Sequence, residues 1–116
     1  MRIPTMLAMV AMLVADVAFA HGATVTEAAP GLLKRAGITP DAATATAQAK
    51  FPKGKIESAE IEEENGKLLY SFDIETPGKS GIDEVNVDAH TGKVLGVAHE
   101  TPRQQAKEKA ADTKQP

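Results

Sequence analysis

The side chains equipped for specific chemistry are His21, His90 and His99, the serines Ser58, Ser71 and Ser80, and carboxylates spaced two apart. The carboxylate row is Glu60, Glu62 and Glu64, answered further on by Asp73 and Glu75. Serine catalysis needs a base and an orienting group around the nucleophile. The three serines have no motif about them, and three scattered histidines define no triad, so the chain is read as non-enzymatic. It has no cysteine, which removes thiolate and redox chemistry. Alternate residues of a strand share one face about 7 Å apart, too far for a single compact ion shell. The acidic row is therefore either a solvated face or a surface for a basic protein partner, with Glu84 and Asp88 extending it. The metal-directed alternative is a periplasmic metal-binding or buffering protein that uses surface carboxylates and His21. As the first residue of a processed chain, its free amine and imidazole would chelate copper or nickel, with His90 or His99 adding a nitrogen. No cofactor is expected.

What makes His21 a first residue is the segment before it. Arg2 supplies a positive start, Met6 to Ala15 form a short apolar run, and Ala18-Phe19-Ala20 is a small-x-small cleavage pattern. Residues 1–20 read as a signal peptide, too short for a transmembrane helix. The mature protein is then periplasmic or secreted, with no membrane anchor. About 96 residues remain, enough for one domain and not two. With 3% aromatic residues and a net charge of -3, the chain lacks the basic, stacking surface of nucleic-acid binders. Residues 41 to 102 carry six Lys against twelve Asp and Glu, so the folded part is more acidic than the total. Residues 21–37 form a lead-in, with a short turn or helix around Leu32 and Leu33 ending near Gly37. Residues 101–116 are polar, without a large apolar side chain to offset ordering entropy, and read as a disordered or fraying helical tail.

Between these lies the part that must position the acidic row. Thr39-Pro40-Asp41 predicts a helix start, with Thr39 as cap, Pro40 at the first helical position and Asp41 at the positive end of the dipole. Ala43, Ala47 and Phe51 share one face, and Pro52-Lys53-Gly54 ends the helix. From Lys55 the period becomes two, and Asn65-Gly66 predicts a type I′ hairpin turn. Counting outward, Glu64 faces Lys67, Ile61 faces Tyr70, Ala59 faces Phe72 and Glu57 faces Ile74. Ala59, Ile61, Leu68, Tyr70, Phe72 and Ile74 then form the core face and the carboxylates the wet one. A second hairpin turns at Asp88 to Gly92, with Gly92 left-handed, Val87 facing Leu95 and Val85 facing Val97. The expected fold is α+β: one main helix packed on a three- to four-stranded antiparallel meander sheet.

A capped Ala-rich helix ending in Phe51-Pro52 and the strand Lys55-Ile-Glu-Ser-Ala-Glu-Ile-Glu come first in a recognisable order. Asn65-Gly66-Lys, Leu69-Tyr-Ser-Phe-Asp-Ile and Glu84-Val-Asn-Val-Asp-Ala-His-Thr-Gly-Lys-Val-Leu95 follow. This series resembles the PepSY domain family over about residues 38 to 100. The resemblance implies a non-catalytic module of the kind found in peptidase propeptides and stand-alone exported proteins, which binds or restrains peptidases. It carries over no catalytic residue. With no peptidase in this sequence, any restraint would act on a separate extracytoplasmic protein, through a sheet edge or the acidic face.

Overall fold

A computed structural model describes residues 24–107 of the chain. The expected signal peptide, His21 and the end of the tail lie outside the described residues. Seven elements follow one another: β1 (Val25–Glu27), α1 (Leu32–Arg35), α2 (Pro40–Lys50), β2 (Lys55–Glu64), β3 (Lys67–Glu75), β4 (Ile82–Asp88) and β5 (Val94–Glu100). Residues 102–107 are helical. They start on a reciprocal cap in which the Gln104 N–H donates to Thr101 Oγ1 and the Thr101 N–H to Gln104 Oε1.

The fold is α+β, but the sheet is larger than the expected meander. Its strands lie in the order β1-β2-β3-β4-β5, and β1 runs parallel to β2. β2 to β5 are the antiparallel meander; β1 is an addition from the lead-in. Three residues, Val25-Thr-Glu, are too few to show an alternation. Their conformation is fixed by pairing with Ala59, Glu60 and Ile61, and the Ala28 N–H extends it by donating to the Ile61 carbonyl at 2.9 Å.

The main helix α2 begins as its sequence dictates, with Thr39 Oγ1 accepting from the Ala42 N–H at 3.1 Å. At 11 residues it is only three turns long. Ala43 and Ala47 are fully buried, and their small side chains let the helix lie close on Tyr70, Phe72, Val85 and Val87. Two further ties hold the start of α2 to the sheet. The Tyr70 hydroxyl donates to the Ile38 carbonyl at 2.9 Å, and the Gly37 and Ile38 N–H groups both donate to the Ala89 carbonyl. Gly37 is needed for that approach, because a Cβ there would meet the His90 carbonyl oxygen at 2.7 Å.

The first hairpin has its expected turn, with φ of 51° at Asn65 and 79° at Gly66. The register holds from Glu64–Lys67 to Ser58–Asp73 and then slips: Ile74 faces Ile56, not Glu57. Alternation alone would have put Glu57 in the core. A bulge expels it and buries Ile56, a gain of about 1.5–3 kcal/mol for a fully buried side chain. In the second hairpin Gly92 is left-handed at φ 83° and Val85 faces Val97 as expected, whereas Val87 faces Val94 in place of Leu95. The same reason applies. Val94 packs against the core and Leu95, 42% exposed, swings to the other face.

Candidate functional site

The wet face of the sheet is built in rows by the registers of its three antiparallel strand pairs. Ser58, Asp73 and Glu84 form one row, and Glu60, Ser71 and Asn86 the next, continued by Thr26 on β1 and Gly96 on β5. Glu62, Leu69 and Asp88 form a third, and Glu64 faces Lys67 at the turn. The structure thus gathers Glu60, Glu62, Glu64, Asp73 and Glu84 around one centre. Glu62 registers this: partial burial first, then the charges of Glu60, Glu64, Glu84 and Asp73, push its carboxyl above the usual range. Asp73 and Glu84 sit directly opposite each other, a like-charge pair that β-strand neighbours ordinarily avoid. Each accepts from a serine, Ser58 Oγ to Asp73 at 3.2 Å and Ser71 Oγ to Glu84 at 2.8 Å.

Two expected members stand apart. Glu75 lies at the end of β3 opposite Lys55 and is not among the charges that act on Glu62. Asp88 shares the face, but its carboxylate is turned into its own loop. It accepts from the His90 N–H at 2.7 Å and the Thr91 N–H at 2.9 Å, bonds that hold it below the usual carboxylate range with help from Lys67. That is the geometry of a side chain shaping a turn. Leu69, which alternation places on the wet face, is nevertheless buried, beside a shallow cavity of about 420 Å³ lined also by Glu64, Asn65, Lys67, Asn86 and Leu95.

Among the described residues, His90 and His99 do not converge on a metal centre. His90 is exposed in the turn, and His99 Nδ1 lies 2.9 Å from Asp83 Oδ1. Among the described residues no three His, Asp or Glu side chains come together as metal ligands. The Asp83 cluster is what sequence reasoning missed. Asp83 is 4% exposed, faces Ile74 across the core side of the sheet, and is held by His99 and by Lys79 Nζ at 3.0 Å. Burial pushes its carboxyl up, but the hydrogen bonds and charges of His99 and Lys79 outweigh that and leave it below the usual range. The signal was present: Asp83 keeps inward phase with Val85 and Val87, so an acid was bound to be buried there.

The two sheet edges differ. β1 offers three residues, whereas β5 offers seven, most of them exposed, with Val97 49% exposed on the helix side and Leu95 on the wet side. Residues 37–98, more than half of the chain, match the family model of PepSY, described as peptidase propeptide and YPEB domain. The chain belongs to the PepSY family. No curated protein and no solved structure matches it. The PepSY match runs from Gly37 to Ala98, so it takes in α2, the two hairpins and the acidic rows, and leaves β1 and α1 outside. Among the described residues no helix is long and apolar enough to cross a membrane.

Proposed function

We propose that this chain is an exported, non-catalytic PepSY module that binds and restrains an extracytoplasmic peptidase. The observation that carries this is the family match itself, which covers the helix-on-sheet unit and whose description names peptidase propeptides. A propeptide acts by occupying its enzyme, so the chemistry required is a surface and not a nucleophile. The surface in this reading is the acidic face, where the mutual repulsion of Glu60, Glu62, Glu64, Asp73 and Glu84 is relieved when a basic patch covers it, with Glu75 at its end. The signal-like pattern of residues 1–20 supports export, to the periplasm or outside the cell.

The test is inhibition and affinity capture against a panel of secreted metallopeptidases and serine peptidases. Inhibition of at least one member is expected, weakening with added salt. Replacing Glu60, Glu62 and Glu64 together by glutamine should weaken it about tenfold. A panel in which no peptidase is inhibited or captured overturns the proposal.

A further inference from the structure

Sheet edges attract other strands unless they are short, charged, bulged or interrupted by proline. β1 is protected by its length, and its last residue, Glu27, is spent in accepting from the Leu33 N–H at 2.8 Å. β5 has little protection. Val94–Glu100 contains no proline and no lysine, its bulge at Leu95 lies close to the hairpin turn, and His99 is directed to Asp83. From Gly96 to His99 no further strand pairs with its outer side among the described residues.

Its two faces ask for different things. On the helix side Val97 stands half exposed, paired with the buried Val85 and open to an apolar neighbour. On the wet side β5 presents Gly96 and Ala98, and nothing lies within 4 Å of where a Gly96 Cβ would be. Behind them, on β4, stand Asn86 and Glu84. A strand added to β5 would lie two strand spacings from β4, roughly 10 Å. Across so low a saddle, a long basic side chain and the Glu84 carboxylate close the gap from both ends. We infer that β5 is the docking edge for an extended segment alternating apolar and basic residues, which adds to the sheet as a sixth strand with its basic side chains crossing Gly96 and Ala98 toward Glu84. Backbone hydrogen bonds then supply affinity and the alternation supplies specificity. A second copy is the poorer occupant, because antiparallel pairing of two β5 strands sets both acidic faces on one side of a joined sheet. That the segment belongs to a peptidase rests on the proposed function; the edge and its chemistry do not.

The probe is a short capped peptide alternating valine and arginine, mixed with the full chain and read by amide hydrogen exchange and chemical shifts. Slowed exchange along residues 94–100 is expected. A valine–glutamate counterpart should bind at least about tenfold more weakly, and a version N-methylated at alternate residues should not bind. Gly96→Leu, placed in open space, should weaken binding about tenfold with an unchanged unfolding midpoint, and Val97→Lys, at the half-exposed apolar position, should weaken it to a similar extent. Equal binding of the arginine and glutamate peptides, or protection on another strand, overturns the inference. So does protection of β5 that rises with protein concentration without peptide. Where a peptidase is inhibited, inhibition unaltered by Val97→Lys overturns the edge and leaves the peptidase reading standing. Peptide docking on β5 with no peptidase inhibited does the reverse.

Discussion

Asp83 and Glu62 are acids on opposite faces of one sheet, and their surroundings drive them in opposite directions. Asp83 is held below the usual range, so its contribution to stability is present above the unfolded carboxylate range and is lost as pH falls through its lowered folded value. Lys79 and His99 are about half in water, which screens their share. Asp83→Asn is expected to cost about 1–3 kcal/mol at neutral pH, with the difference from the native chain shrinking in acid. Glu62 is raised, so its contribution is present below the unfolded range and is lost as pH rises through its folded value. Glu62→Gln should therefore stabilise at neutral pH by about 0.2–1 kcal/mol, with no gain in acid. Urea midpoints of both variants at neutral and acidic pH check the pair. A loss in Glu62→Gln at neutral pH would show that the acidic face is not repulsive.

At the scale of elements, the features legible in the sequence are those whose chemistry is local. Thr39-Pro40-Asp41 specifies a helix start through one side-chain oxygen and one fixed φ, and Asn65-Gly66 specifies a hairpin because both residues accept positive φ. The bulges at Glu57 and Leu95 were not legible, because they arise from competition between a regular ladder and the burial of Ile56 and Val94, which only the assembled core decides. The distinction is measurable at two glycines. Gly66 and Gly81 have φ of 79° and 84°, so alanine at either meets the left-handed penalty of about 1 kcal/mol. A Cβ at Gly66 meets nothing, whereas at Gly81 it runs into the Glu100 carbonyl oxygen and the His99 ring. Gly81→Ala should consequently lower stability by clearly more than Gly66→Ala and should loosen the Asp83–His99 pair. Thermal unfolding of both, with the His99 ring shifts, tests this; equal losses would mean that the end of β5 yields freely.

For the molecule as a whole, period-two reading located the acidic face, since the first-hairpin register fixes which side each carboxylate takes. It could not separate Glu75, which lies beyond the bulge at Glu57 and opposite Lys55, nor see Asp88 fold into its own turn. It also left the lead-in without a role, and there the structure is most informative. β1 and α1 lie outside the PepSY match, yet Leu32 is 5% exposed within the core and Arg35 reaches Glu63 at 2.7 Å. β1 covers the outer edge of β2 at Ala59, Glu60 and Ile61. A chain trimmed to begin at residue 37 loses the Leu32 contact, at about 1.5–3 kcal/mol, and uncovers a ten-residue edge strand. It should unfold at lower urea and associate through β2 as concentration rises, because a long uncovered edge is a template for pairing. Sedimentation and urea titration of the trimmed and full chains decide the matter. A trimmed chain that stays monomeric and equally stable would show that the PepSY unit closes on its own and that β1 protects nothing.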